Sequence, residues 1–144
     1  MIGLFFPLLL AGSSSVPQTV FRCEIGTRVA AVTLERATLT YRFGPPGKPQ
    51  LTIVGTSANG RVRSYSARYA GPLHQLRFIA GDISYIVYGM PANAVAGSAD
   101  VSGVIVLRGK KIIADHSCRR FADVSYVGGI AVPEDGDEYS AMGL

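Results

Sequence analysis

The sequence predicts an all-β protein, a single antiparallel small barrel or sandwich of about eight to nine short strands. Runs rich in Val, Ile, Thr, Tyr and Phe recur at roughly 8 to 12 residue intervals, and turn sequences containing Gly or Pro separate most of them. No segment of ten or more residues combines a 3.6-residue hydrophobic period with helix caps. The strand candidates are residues 20–24, 29–34, 37–43, 50–54, 62–69, 73–79, 83–88, 103–108 and 111–115.

Alternation and turn chemistry define the individual strands. Residues 39–43 alternate between apolar and polar side chains, which is typical of a strand with one buried face. The Gly-Pro-Pro-Gly sequence at 44–47 cannot continue a strand, and Asn59-Gly60 is a hairpin dipeptide. Residues 90–102 form the longest interior connection. The remaining breaks are at Gly71-Pro72, Gly81-Asp82 and Gly109-Lys110.

Residues 1–15 are predicted to be a signal peptide. The segment from Ile2 to Gly12 is apolar apart from Pro7, and small residues follow it. It is too short for a bilayer span, which needs roughly 20 residues. We therefore expect a soluble protein, periplasmic or secreted after cleavage near Ser13 to Ser15. Because no Lys or Arg precedes the apolar run, a buried N-terminal strand is the alternative interpretation.

Cysteine usage agrees with export. Cys23 lies in the first predicted strand and Cys118 just after the last. In an oxidising compartment the two most simply form a disulfide bond, which would stabilise the fold by up to about 4 to 5 kcal/mol. Two independent buried thiols are the alternative. Since the chain has no CxxC motif, His/Cys cluster or complete cofactor motif, we expect neither metal nor cofactor.

The charge is distributed unevenly along the chain. All 14 basic residues precede position 121, whereas five of the 10 acidic residues follow position 122. Residues 1–122 therefore carry fourteen positive and five negative charges, a net of +9, and residues 123–144 carry −5. This pattern, with Gly and Pro in the final segment, predicts a β domain at 16–122 followed by an acidic flexible tail at 123–144.

A basic body has two interpretations. One is attraction to a polyanion such as nucleic acid, an acidic polysaccharide or the phosphate-rich bacterial envelope. The other is an ordinary solvated surface, because the 11 arginines are scattered over the strands. A further hypothesis is that the acidic tail folds back over the basic surface as an internal mimic of an acidic partner.

The sequence does not predict an enzyme and assigns no catalytic residue. Its only histidines are His74 and His116, and no GxSxG, HExxH or GxxxxGK[ST] motif is present. His116 and Ser117 are neighbours in a predicted strand, so their side chains point to opposite faces. Asp82, which could pair with Asp115, is better explained by turn chemistry.

Arginine and tyrosine provide the candidate ligand-binding residues. Tyr and Arg side chains on a sheet can form stacking platforms for sugars or single-stranded nucleic acid, although strand tyrosines also cap small cores. Aromatic motifs of nucleic-acid-binding folds are missing from the sequence, so no specific nucleic-acid partner is expected. The candidate residues begin at the predicted hairpin at 58–61 and continue into the next strand. They are Arg61, Arg63, Tyr65, Arg68 and Tyr69.

A set of short motifs runs along the chain: Cys23, residues 39–44, residues 81–88, residues 103–106 with Gly109-Lys110, and Cys118. This set resembles a group of small exported proteins of Gram-negative bacteria that have no assigned function. The resemblance covers roughly residues 20 to 120 and implies an exported β-rich domain bracketed by two cysteines.

A more distant resemblance is to the periplasmic and membrane-bound inhibitors of c-type lysozyme. Residues 64–69 followed by 78–81 are similar in outline to the loop with which that family plugs the lysozyme cleft. The sequence departs from the family pattern at Tyr65, where glycine is expected, and at Ala80, where a basic residue is expected. A basic body would also be repelled by a basic lysozyme.

The sequence therefore predicts an exported, non-enzymatic binding or inhibitory module of the bacterial cell envelope. The sequence does not determine the partner, for which an envelope polyanion and a secreted protein are the two candidates, and no transmembrane anchor is expected. One alternative is a protein similar to the c-type lysozyme inhibitors. The other is a small structural subunit of the envelope, which would have a long exposed edge strand and assemble as its concentration rises.

Overall fold

The computed structural model describes residues 3, 16–124, 132–136 and 139–142. These residues form two antiparallel sheets, sheet A from the first four strands and sheet B from the next five, each in sequential order. The nine strands are β1 (Gln18–Ile25), β2 (Arg28–Glu35), β3 (Thr38–Gly44), β4 (Leu51–Gly55), β5 (Val62–Arg68), β6 (Pro72–Ala80), β7 (Ile83–Met90), β8 (Val101–Arg108) and β9 (Lys111–Ser117).

The predicted all-β fold is confirmed, and of the two predicted architectures the structure is a small sandwich. Each of the nine predicted runs corresponds to one strand. The largest differences are two residues at a strand end, as at Gln18 and Val101, where backbone pairing extends the ladder beyond the predicted run. The described residues contain no helix that is long and apolar enough to cross a membrane.

Two-residue turns join the strands within each sheet at four places. Gly26, Gly81 and Gly109 take positive φ in three of these turns, and Arg36 takes φ 56° in the fourth. Residues with positive φ match the right-handed twist of paired strands, and glycine adopts that conformation without a Cβ clash.

The predicted hairpin at residues 58–61 is wrong. Gly60 has the left-handed φ of 69° expected for a turn, and the Asn59 side chain accepts hydrogen bonds from the Thr56 and Arg61 amides. The strands on either side nevertheless lie in different sheets, so residues 56–61 cross from sheet A to sheet B. An Asn-Gly turn closes both kinds of connection, so the dipeptide does not distinguish them.

The main core lies between the two sheets. Tyr41 of sheet A is 1% exposed and stacks on Phe78 and Tyr85 of sheet B, with ring centroids 5.5 and 5.4 Å apart. Aromatic pairs of this kind bury a large apolar area in a fixed geometry. The stack therefore fixes the two sheets against each other at their centre.

The predicted disulfide bond is confirmed and joins the two sheets. Cys23 of β1 is bonded to Cys118, one residue beyond β9, with a Cα–Cα distance of 5.0 Å. Next to it, the Arg119 amide donates a hydrogen bond to the Glu24 carbonyl. The bond thus ties the first strand of sheet A to the end of sheet B.

The acidic C-terminal segment packs on the outer face of sheet B. Ile86, Ile105 and Leu107 point away from sheet A but are at most 3% exposed, because Tyr139 and Ala141 pack against their cluster. We call residues 132–136 and 139–142 the C-terminal strap. For these residues the structure differs from the expected flexible tail: they form a third layer on the sandwich. Apart from Gly3, the predicted signal peptide lies outside the described residues.

Candidate functional site

The five candidate residues around β5 do not form one surface. Arg63 and Tyr65 lie on the outer face of sheet B, opposite Arg77 and Gln75 of β6. Because side chains alternate along a strand, Arg68 belongs to the other face, where it is exposed.

The two remaining candidates lie beyond the ends of β5. Arg61 is in the turn from sheet A to sheet B, and its side chain is exposed. Tyr69, which is 45% exposed, has its hydroxyl 2.9 Å from the Ser140 hydroxyl of the C-terminal strap. The structure therefore brings Arg63, Tyr65 and Tyr69 to the side of the strap and places Arg68 on the other face, while Arg61 lies in the turn before β5.

The C-terminal strap is held by a buried ion pair. The Arg77 guanidinium donates hydrogen bonds to both carboxylate oxygens of Asp135, at 2.7 and 2.9 Å. The two side chains are only 9% and 2% exposed. Arg77 also donates to the Ser84 hydroxyl at 3.1 Å and lies over the Tyr139 ring, 3.9 Å from its centroid. This is a charge-assisted, bidentate arrangement in a nearly dry environment.

Backbone contacts add to this arrangement. The Ser64 amide donates to the Pro133 carbonyl at 2.9 Å, and the Asp135 amide donates to the Ser64 carbonyl at 2.7 Å. These bonds make a parallel bridge that extends the edge of sheet B beyond β5. The Gln75 side chain donates to the Tyr139 carbonyl and accepts from the Ala141 amide, at 2.7 and 2.8 Å.

Sequence reasoning did not assign Arg77, Gln75 or Asp135 to a site. The available signal was that Gln75 and Arg77 interrupt an otherwise apolar strand. Their buried polar atoms require partners. The partners lie about sixty residues further along the chain, so the sequence pattern did not identify them.

A second surface, which we call the sheet A cleft, lies on the outer face of sheet A. Arg22, Ala31 and Arg42 are direct neighbours across β1, β2 and β3, and both arginines are exposed. The cleft has a volume of about 170 Å³, and the turn after β3 forms one wall. None of its described lining residues is acidic. They are Arg22, Val29, Ala31, Arg42, Phe43, Gly44, Pro45, Pro46, Gly47 and Pro49.

The polar side of this face continues from Arg42. Its guanidinium donates to the Thr33 hydroxyl at 2.9 Å. A wider depression of about 490 Å³ follows, lined by side chains that include Thr38, Thr40 and Glu35. The sequence alone did not predict that Arg22 and Arg42 lie close together, because strand register determines which residues of adjacent strands are neighbours.

A third concavity lies between the two sheets. Its volume is about 180 Å³, and its lining includes Tyr41, Tyr85, Val104, Val106 and His116. Burial, with a smaller contribution from Tyr85, raises the pKa of Tyr41 well above the usual value for tyrosine. Space of this size accommodates a group no larger than a single ring.

His74 lies in β6 and His116 in β9. His74 Nδ1 lies 3.8 Å from Asp123 Oδ1, longer than a hydrogen bond, and both side chains are about 40% exposed. Ser66 is the cross-strand partner of His74, but among the described residues no hydrogen bond joins the two side chains. In β9, His116 faces sheet A while Ser117 faces outward. The described residues also contain no group of three or more metal-binding side chains.

Fold and surfaces together define a class: a disulfide-linked β-sandwich with a basic cleft on one outer face and an acidic strap on the other. Comparison with known proteins does not identify a family for the chain. No family model, no curated protein and no solved structure matches the chain. The resemblance to c-type lysozyme inhibitors stays a prediction, with residues 64–68 lying in β5.

Proposed function

We propose that this chain is an exported, non-enzymatic binding module of the bacterial cell envelope and that it binds an anionic saccharide in the sheet A cleft. The observation that carries the proposal is the pair of exposed arginines on either side of Ala31. Neighbouring strands are roughly 4.8 Å apart, which places Arg22 and Arg42 on backbones about 10 Å apart. A carboxylate or phosphate group above Ala31 would be within reach of both guanidinium groups, which bind such groups in bidentate geometry.

The rest of the lining supports a ligand with a ring-shaped body. Val29 and Ala31 give a low, apolar floor, and Pro45, Pro46 and Pro49 give a rigid wall. Binding sites commonly combine an apolar lining with a few charged groups that fix orientation. The cleft thus suits an acidic sugar better than a simple inorganic ion.

The charge distribution favours the same face. Three of the other arginines have a carboxylate partner: Arg77 pairs with Asp135, Arg108 lies near Asp82 and Arg119 near Glu24. The acidic strap covers sheet B, on the opposite side of the sandwich. The cleft arginines, in contrast, line a cavity without acidic residues. The positive charge of Arg22 and Arg42 is therefore available to a polyanion on sheet A.

Export is part of the proposal. A disulfide bond between Cys23 and Cys118 is compatible with an oxidising compartment, and such bonds are rare in the reducing cytosol. The apolar segment at residues 2–12 supports the same location. Intact mass of protein recovered from the periplasm of an export-competent host tests this point. Recovery of the full-length chain in the cytoplasm, with two alkylatable thiols, would contradict it.

The binding test uses the full chain and oligogalacturonate as the probe. We expect changes in the amide resonances of Arg22, Ala31 and Arg42, with binding that weakens as salt is raised. The methyl-esterified oligosaccharide, which has the same rings without the charge, should not bind. Arg42→Ala should weaken binding about fivefold or more, as expected for loss of a charge-assisted contact.

Arg68→Ala is the matched control, because it removes an exposed arginine from another face. We expect little effect from it or from Tyr69→Ala. If these two substitutions weaken binding more than Arg42→Ala does, the original candidate residues around β5 form the site instead. If none of the three changes binding, the cleft is not the site.

A second candidate function, a structural subunit of the envelope, is favoured by β9. In the part of the chain that the structure describes, no strand pairs with the outer edge of β9, and Ile112 and Ile113 are 41% and 44% exposed. Unpaired apolar edges can pair with a second copy. Sedimentation at increasing concentration tests this. Assembly that Ile113→Lys abolishes would support it, and a monomer at all concentrations would rule it out.

A further inference from the structure

We propose that the outer face of sheet B is a binding site for an acidic peptide of a partner protein and that the C-terminal strap occupies this site in the free molecule. The peptide would pair with β5 through an extended segment that ends at an aspartate, and a tyrosine four residues later would contact the same arginine, Arg77. The strap shows this chemistry directly, because Asp135 and Tyr139 both contact Arg77.

The edge of β5 provides the backbone part of the site. Ser64 both donates to and accepts from the strap, at Pro133 and Asp135. Adding a strand to an exposed sheet edge is a common mode of peptide recognition, in which backbone bonds give affinity and side-chain contacts give specificity. Any extended peptide can make the same two backbone bonds.

Arg77 provides the charge specificity. Its guanidinium is almost fully buried, is oriented by Ser84 and faces the strap carboxylate in bidentate geometry. A neutral peptide would leave this buried charge without a partner, which is costly. The site therefore selects a carboxylate at this position.

Gln75 and Tyr69 provide the second contact region. The Gln75 amide bonds to the backbone on both sides of Ser140, while Tyr69 reaches the Ser140 hydroxyl. The Tyr139 amide donates to the Gly136 carbonyl, and the Tyr139 ring lies against the Arg77 guanidinium. These contacts select a peptide whose second contact region lies at a defined distance from the aspartate.

The strap is largely separate from the main core. The core between the sheets contains residues of β1 to β8 together with Ala122 and Val124, and Val132 of the strap packs against its edge, whereas Tyr139 and Ala141 pack on the smaller cluster of Ile86, Ile105 and Leu107. The polar contacts given above add to these apolar ones in holding the strap. A competing peptide can replace each of those contacts, and it competes with a tethered segment whose effective concentration is in the millimolar range for a short linker.

The experiment measures binding of a fluorescent peptide with the sequence of residues 132–142 to the full chain. In the wild-type protein the strap competes, so the apparent affinity is low. The Asp135→Asn protein has a weakened strap, and we expect it to bind the wild-type peptide about tenfold or more tightly than the wild-type protein does. A peptide carrying Asp135→Asn should bind that protein at least tenfold more weakly.

A peptide carrying Glu134→Gln is the matched control, because it loses the same charge at an exposed position. It should bind like the wild-type peptide. Equal losses for the two altered peptides would overturn the site at Arg77, since they would reflect net charge alone. Absence of binding to a folded Asp135→Asn protein would also overturn the proposal and make the strap a fixed part of the fold.

If Asp135→Asn does not fold, hydrogen exchange in the wild-type protein tests whether the strap is released from the folded sandwich. We expect the Asp135 amide to exchange at least tenfold faster than the amides of β6 and β7, because release of the strap does not require unfolding of the sandwich. Exchange at the same rate would overturn the proposal. A strap-exchanged dimer in light scattering would assign the site to a second copy of this chain instead of a partner protein.

Discussion

Arg77 and Asp135 form a bidentate ion pair between sheet B and the C-terminal strap, with both side chains almost completely buried. They are 58 residues apart in the chain. The pair brings an acidic segment onto one face of a basic domain. While the strap is bound to sheet B, each partner of the buried pair depends on the other, since neither can recover its lost hydration.

Asp135→Asn should therefore destabilise the protein strongly. It leaves the buried guanidinium of Arg77 without a counter-charge, and breaking such pairs costs about 3 to 5 kcal/mol. Urea denaturation measures the change. The control is Asp82→Asn, which breaks the exposed contact with Arg108 at 3.9 Å and should cost less than about 1 kcal/mol. Similar losses from both substitutions would contradict a special role for the buried pair.

Removing the disulfide bond should have an effect of comparable size. The bond between Cys23 and Cys118 spans a sequence separation of 95 residues, and loops of that length stabilise by about 4 to 5 kcal/mol in the chain-entropy model. A variant with Cys23→Ala and Cys118→Ala should unfold at lower urea concentration by this free energy. Reductant should destabilise the wild-type protein and leave the variant unchanged. Insensitivity of the wild-type protein to reductant would contradict the prediction.

The sequence predicted the strands because their information is local. Residues 39–43 carry the two-residue period, and a turn sequence closes almost every run. The pairing of Cys23 with Cys118 was equally accessible, because only two cysteines are present. The crossing at Asn59-Gly60 was missed since the same dipeptide closes a hairpin or a crossover turn.

The sequence predicted the candidate binding surfaces much less completely than the strands. Arg22, Ala31 and Arg42 become neighbours only through the register of three strands. Arg77 becomes an anchor only because Asp135 folds back onto it from the end of the chain. The idea that the acidic segment covers a basic surface was available from charge alone. The residues involved and the face covered required the three-dimensional structure.

Ala31→Glu tests the sheet A cleft by placing a carboxylate on its floor. A carboxylate at this position would lie between Arg22 and Arg42 and act as an internal competitor for an anionic ligand. We expect about tenfold or greater loss of oligogalacturonate binding with no loss of the fold, because position 31 is on the solvent-facing side of β2. Ala31→Gln, which has nearly the same shape without the charge, should have a smaller effect. Equal effects would indicate that the side chain blocks the cleft sterically.

Tyr41 should make the protein sensitive to alkali. Its pKa is raised in the folded state by burial and by Tyr85, whereas in the unfolded chain it has the ordinary value near 10. The stabilisation is complete below about pH 10 and is lost as the pH rises further, since the unfolded chain then releases a proton that the folded protein retains. One such group gives a slope of about 1.4 kcal/mol per pH unit. Urea denaturation between pH 8 and about pH 11 measures it.

Tyr41→Phe removes the titrating group and keeps the ring that stacks on Phe78. We expect its stability to fall less steeply above pH 10 than that of the wild-type protein, while the two profiles run parallel below about pH 9, where the phenol is protonated in both states. Because both proteins share the remaining tyrosines, the difference between the profiles isolates Tyr41. Parallel profiles over the whole range would show that Tyr41 ionises equally easily in the folded and unfolded states, and its place at the centre of the sandwich would then contribute nothing to alkaline unfolding.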